Sequence, residues 1–385
     1  MQFDRSMPPQ TLRPQNEFTG ELRPPSITEV LGMVLVSYLV FLVFLSFLGG
    51  AYWPLVEGRF ADNASYLAAA SAIRHWQFSG VNVTQFWGVS YAIAGVSILS
   101  RTSEATALVV VCAGASLASV ALCYWLWDGW IAAFFALLSL DWFQRSLLGG
   151  AEPLFVALLL GSFVALRRER WVYAAVLGSL ATVVRPFGVF ALVGLGIHLL
   201  YRKRFRDCAI ATAIGLGIGA LYAWPLNHYL GSPFANVTSY QRYYWHGGSP
   251  FDFPFVAIIR ETIPVSAPLT NLVLSYIWIL AVLIALVVAI RSGEFQYYAR
   301  SHTAEAVFVV LYSLAICSYD TSGWSRSSFP RFAIPLLPWI LVFLRRYLPA
   351  NRKVAWALAV ITPSLAAASA VGIHQTWPIL LRHFH

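Results

Sequence analysis

An all-α polytopic membrane protein is what this sequence predicts, and three observations carry the prediction. Hydrophobic residues make up 58% of the 385 and charged residues only 11%, more apolar surface than one soluble core has use for. The apolar residues fall into runs that recur from one end of the chain to the other, parted by short polar stretches. The basic residues stand in small clusters between those runs, not in one patch interleaved with aromatics. The net charge of +9 therefore reads as the positive-inside bias of membrane proteins and argues against a nucleic-acid partner.

Residues 1–26 are polar and rich in proline and are expected to form a disordered cytoplasmic tail. No short apolar segment with a small-residue cleavage site stands near the start, so the first span is expected to be retained. The remainder, 27–385, is expected to be a single transmembrane domain. Residues 30–56 carry no charge, enough for one crossing. Further spans are expected at 105–127, 130–144, 153–166, 171–184, 187–201, 208–227, 269–290, 304–319, 332–344 and 354–373. The four cysteines, Cys112, Cys123, Cys208 and Cys317, lie in or beside these runs without metal-ligand spacing and read as small core hydrophobes.

The run 86–99 is ambiguous, and charge parity decides it. If it does not cross and the N-terminus is cytoplasmic, then Arg167, Arg168 and Arg170 lie inside, as do Arg202, Lys203, Arg204 and Arg206. Arg345, Arg346, Arg352 and Lys353 fall inside as well. A crossing there would move every cluster outside, against the bias that sets orientation. The expectation is about eleven spans, with juxtamembrane helices in a first external loop at 53–104 and a second long external loop at 228–268. Asp62, Arg145, Glu152, Arg185, Arg326 and Arg331 then share the external face. The bordering runs 153–166, 171–184 and 332–344 hold only 13 or 14 uncharged residues. That is short for a layer of about 30 Å, so either their ends face a watery vestibule or the flanking arginines snorkel.

Asp62 opens the stretch DNASYLAAA, where a carboxylate can cap the helix that follows or serve as a base. Glu152 precedes Pro153, a favourable place for an acid at a helix start in any case. Arg185 precedes Pro186 and has the option of capping the carbonyls of the helix before it. Asp141 and Arg145, four apart, are expected to form a local ion pair. Tyr240, Tyr243, Tyr244, Trp245 and His246 suit either an interfacial belt or sugar stacking, with His246 expected in a structural role. Sequons stand at Asn63, Asn82 and Asn236 on the external side.

Four stretches in order, Asp62 to Ala70, QRSLLGGAEPLF ending at Phe155, VRPFG ending at Gly188 and FPRFAIPLLP ending at Pro338, resemble the recurring elements of GT-C membrane glycosyltransferases. The whole-chain order is most similar to the PIG-V-like, polyprenyl-phosphate-mannose-dependent mannosyltransferases. The resemblance implies a GT-C-type helical bundle and inverting transfer of mannose, or another hexose or pentose. The implied donor is a polyprenyl-phosphate sugar, and the acceptor a hydroxyl on a lipid, glycan or protein. It implies Asp62 and Glu152 as catalytic residues, Arg331, Arg185 and Arg326 around the donor phosphate, and Tyr66, Tyr243, Trp245 and His246 against substrate. Asn63 stands where many relatives carry a second acid; Glu152 is the alternative second ligand, but the expectation is transfer without a metal cofactor. Phe332 stands where relatives carry tyrosine, so a hydroxyl is missing there. The implied place is a bacterial inner membrane, or the endoplasmic reticulum of a eukaryote, with the site extracytoplasmic. A flippase for lipid-linked saccharide and an O-antigen-type polymerase are the competing classes; no half-to-half repeat of the transporter kind is evident.

Overall fold

The computed structural model describes residues 23–60, 62–78, 81, 84–244, 251–256, 258, 269–319 and 328–381. Apart from one isolated bridge between Phe251 and Tyr319, all regular structure among them is helical. The helices are α1 (Ile27–Phe47), α2 (Tyr52–Pro54), α3 (Asn63–His75), α4 (Gly88–Ser100), α5 (Glu104–Leu126) and α6 (Gly129–Leu137). They continue as α7 (Leu140–Leu147), α8 (Glu152–Arg167), α9 (Trp171–Val184), α10 (Val189–Tyr201), α11 (Phe205–Leu230) and α12 (Ala235–Tyr244). The last are α13 (Leu269–Arg291), α14 (Glu294–Ser301), α15 (Thr303–Ser318), α16 (Phe329–Ala333), α17 (Leu337–Phe343) and α18 (Arg352–Leu381).

Among the described residues, four helices are long and apolar enough to cross a bilayer: α1, α5, α11 and α18 over Arg352–Gly372. Two sharply bent pairs, α7 with α8 and α13 with α14, raise that number to six if each pair is one crossing. The chain is therefore built as a multi-pass membrane protein. Length and composition do not return the eleven crossings expected from the sequence, because α9, α10, α15 and the α16–α17 stretch are short apolar helices; α4, which was expected not to cross, is short as well.

Local chemistry explains where the helices break. Ser26, Ser103 and Ser139 each cap the helix that follows by accepting a backbone N–H, and Asp128 accepts two at the start of α6. The Ser139 cap is why the span expected over 130–144 is two helices. The run is mostly apolar, and the restart is marked by the Ser139 hydroxyl bonded to Trp142 N and by Asp141 in the first turn that follows. α4 is 13 residues, about 20 Å. It packs against α3, α5 and α9, and a side chain at Gly88 would strike Val183 O at 2.6 Å. The absent Cβ lets the start of α4 meet the end of α9.

At the centre, α8 packs on α5 and α9, while α1 packs on α18 and α10 on α15. Each end of α8 carries a charge paired with a buried group or buried itself. At its last turn Arg167 holds Glu305 with two bonds, Nε to Oε1 at 2.7 Å and Nη2 to Oε2 at 2.8 Å. Tyr298 also donates to Glu305 and accepts from Trp339 Nε1 at 3.1 Å, so that network is closed and fully used. At the first turn, about 23 Å away at the helical rise, stands Glu152.

Candidate active site

Asp62 occupies the N-cap position of α3, yet its side chain makes no capping bond. Its Oδ2 accepts instead from Arg331 Nη2 at 2.8 Å. A charge-assisted bond to a guanidinium outcompetes a neutral backbone amide, which is why the capping role expected for an aspartate here is not taken up. Oδ1 has no hydrogen-bond partner among the described residues, and the side chain is 23% exposed. One carboxylate oxygen is thus held and the other is open.

The neighbouring Asn63 is fully buried and fixes Asp62 in place. Its amide Nδ2 donates to Val56 O at 2.9 Å and to Leu148 O at 2.7 Å, tying the first loop to the turn between α7 and α8. A carboxylate could not donate those bonds, which gives a physical reason for an amide where a second acid might have stood. Gly149, at φ +123°, lies opposite; a Cβ there would meet Asn63 Oδ1 at 2.6 Å. The glycine supplies both the left-handed backbone and the close approach.

Across that turn α8 begins with Glu152, which is wholly buried. The 102° bend between α7 and α8 aims this first residue back into the bundle. Its Oε1 accepts from Arg185 Nη2 and from Arg331 Nε. Arg185 comes from the break between α9 and α10, where Pro186 ends one helix and Gly188 fits against Thr182 and Ala181. Arg331 comes from the first turn of α16, and its guanidinium bridges the two acids. The side chains of Arg185 and Arg331 are 11% and 16% exposed. Four residues from four distant places in the chain therefore meet at one mixed-charge centre.

Arg145 is a fifth member, which the sequence placed on the same face but assigned to a local pair with Asp141. Its spacing from Asp141 suggested a local ion pair, but none forms. Arg145 is buried, stacks 4.8 Å above the Phe60 ring, and leaves Nε and Nη1 without a hydrogen-bond partner. The charges acting on it include Arg331, Glu152 and Asp62 as well as Asp141. The turn of helix that offered it a partner also points it inward, and only its place one turn before the Gly149–Gly150 bend hinted at that.

Aromatic groups close the remaining sides. Tyr66 is buried next to this centre; burial first, and then the negative charge of Asp62, push its phenol up, so it stays neutral. Burial also raises the phenol of Tyr240, whose oxygen accepts from Tyr319 at 2.7 Å and brings α12 over the site. Phe332 lies with its ring 6.0 Å from the Arg185 guanidinium, a face-on cation contact where a tyrosine hydroxyl was missed in the sequence. Arg326, Trp245 and His246 lie outside the described residues, as does the side chain of Tyr243. The sequon asparagines Asn63 and Asn236 are buried; Asn236 donates its amide N–H to Gln85 O and accepts from the Tyr222 hydroxyl on its oxygen.

A carboxylate with one open oxygen, next to guanidiniums that can take up negative charge, suits deprotonation of a hydroxyl and stabilisation of a departing anion. On a multi-pass helical scaffold, that combination defines a membrane-embedded group transferase. The family model for glycosyltransferase family 87 matches residues 90–318, more than half of the chain. The chain belongs to glycosyltransferase family 87, a membrane family of GT-C type. The match spans Arg145, Glu152 and Arg185, while Asp62 and Arg331 lie beyond its two ends. Comparisons with curated proteins and with solved structures return no match.

Proposed function

We propose that the protein transfers a sugar with inversion from a polyprenyl-phosphate donor to a hydroxyl acceptor, with Asp62 as the base. The observation that carries this reading is Arg331, one guanidinium shared between Asp62 and Glu152. Arg331 and Arg185 are the groups suited to the donor phosphate, since guanidiniums pair with it through two parallel bonds and keep their charge. A phosphate that engages Arg331 competes with Asp62 for it. Donor binding would thereby release the Asp62 carboxylate at the moment a base is needed.

In the transfer step the acceptor O–H gives its proton to Asp62, and its oxygen forms a bond to the anomeric carbon. The bond from that carbon to the phosphate oxygen breaks on the opposite face, and the electron pair leaves with the lipid phosphate, which gains one negative charge. Arg331 and Arg185 offset that charge in a site shielded from water, where such bonds are strongest. Glu152 keeps the two guanidiniums oriented between turnovers. Tyr66, a neutral donor, is the proposed contact to a sugar hydroxyl. Mannose, a single domain over 27–385 and an extracytoplasmic site complete the proposal, the last resting on the basic clusters at the far ends of these helices.

The test is transfer by purified protein from radiolabelled polyprenyl-phosphate mannose, compared with a nucleotide-activated mannose, to a mixed lipid and glycan acceptor pool. Product from the lipid-linked donor alone supports the proposal. Product from the nucleotide sugar alone would remove the donor assignment.

A further inference from the structure

Among the described residues the centre contains several buried polar atoms without a partner, Arg185 Nε among them, and two of opposite kind flank one glycine. Glu152 Oε2 is a buried acceptor without a partner, because Arg185 and Arg331 both use Oε1. Arg145 Nε and Nη1 are buried donors without partners. Between them lies Gly150. The position its Cβ would occupy is 2.6 Å from Glu152 Oε2 and 2.6 Å from Arg145 Cδ. Gly150 thus brings the free oxygen of Glu152 and Arg145 Cδ, the carbon bonded to the free Nε, to either side of a position that any larger residue would fill.

Leaving both unpaired is costly, since a buried charge without a hydrogen-bond partner loses its solvation and gains nothing for it. Pairing them takes a rotation about the Arg145 side chain through the lane that Gly150 leaves open. What holds the pair apart is that Glu152 already has two cations on its other oxygen, and a third adds repulsion between like charges. Arg331 is the like charge that acts on Arg145 within this centre. The arrangement is therefore stable only while Arg185 and Arg331 both belong to Glu152.

We propose that Arg145 is a stand-by counter-ion: it closes onto Glu152 Oε2 when an anionic phosphate draws Arg331 and Arg185 away. This rests on the donor-phosphate role given to those two arginines. Arg145 then acts as a positioning residue. It neutralises the carboxylate that the phosphate leaves exposed, and so allows two guanidiniums to be lent to the substrate without stranding Glu152. Asp141, the remaining charge near Arg145, is on the same helix and makes no ion pair with it.

Two measurements on detergent-purified full-length protein test this. The first is thermal stability of Arg145→Met, Glu152→Gln and the double variant. A stand-by cation is not needed before ligand binds, so Arg145→Met melts at or above the wild-type temperature, and it raises the melting temperature of Glu152→Gln. A merely structural Arg145 would instead lower both, and that result overturns the inference. The second is affinity for undecaprenyl phosphate, with undecaprenol as the tail-only control. Arg145→Met is expected to weaken phosphate-dependent binding about tenfold to a hundredfold, with Arg145→Lys retaining most of it. Wild-type binding that Arg145→Met leaves unchanged sinks the inference and keeps the donor assignment. Wild-type protein that does not distinguish the phosphate from the alcohol removes the donor assignment and the inference together.

Discussion

Replacing Glu152 by glutamine is the most informative perturbation of the charged centre, because its effect on stability can be worked out from the geometry. The side chain is wholly buried and accepts from Arg185 and Arg331 on one oxygen. Arg145 adds a third guanidinium near its other oxygen. With a neutral amide at 152, three guanidiniums retain Asp62 as the one carboxylate paired within the centre, and Asp62 touches Arg331 alone. Breaking a buried pair by removing one partner costs about 3–5 kcal/mol, because the partner's charge is left uncompensated. Here two partners are left, so the upper part of that range is expected, a large share of the roughly 5–15 kcal/mol that separates folded from unfolded in ordinary proteins. The assay is thermal denaturation of the detergent-solubilised protein, with Glu294→Gln, an exposed acid, as the reference substitution. A melting temperature no lower than that of Glu294→Gln would refute the claim that Glu152 holds the arginines.

Two further substitutions probe what positions the site. Gly149→Ala forces a left-handed φ on a residue with a Cβ and pushes that carbon toward Asn63 Oδ1, so a loss of about 1–3 kcal/mol is expected, read as a lower melting temperature. A variant as stable as wild type would show that the turn does not need a glycine. Glu305→Gln breaks the closed network at the other end of α8 and leaves the partly buried Arg167 without its carboxylate, for a loss of about 3–5 kcal/mol. Because that network is distant from Glu152, the KM for the lipid-linked donor in the folded fraction is expected to stay at the wild-type value. A raised KM with normal stability would contradict the separation of the two centres.

Much of the site was legible before any coordinates because charge is scarce in this chain. Asp62, Glu152, Arg185 and Arg331 stood out as charges at the ends of apolar runs, and the structure brings all four together. Arg145 was legible as a charge on the same face but not as a member of the centre, because Asp141 four residues earlier supplied a local partner that explained it away. Only burial and the missing ion pair expose it. Asn63 read as a lost acid, whereas its value lies in donating to two carbonyls from a loop and a turn that are 85 positions apart at their widest bond. Sequence spacing carries no sign of that bond. The helix break at Ser139 was hidden for a different reason. The stretch 130–144 stays apolar on average despite Ser139 and Asp141, and a capping hydroxyl leaves no mark in hydropathy. The crossing count suffered in the same way, since α9, α10 and α15 are apolar enough to read as spans but short enough that tertiary packing decides where they lie.

The account's central claim is that Asp62 removes the acceptor proton in a site whose arginines hold a lipid-linked phosphate. The most direct measurement is the rate of sugar transfer from a polyprenyl-phosphate donor by Asp62→Asn. Size-exclusion profile and undecaprenyl-phosphate binding would establish that the variant is folded and still takes up the lipid. Asparagine keeps the shape and can still accept a bond from Arg331, but it cannot take a proton. The rate is expected to fall about 10²- to 10⁴-fold with donor binding retained. A folded Asp62→Asn that binds the lipid phosphate and transfers sugar at the wild-type rate would contradict the account.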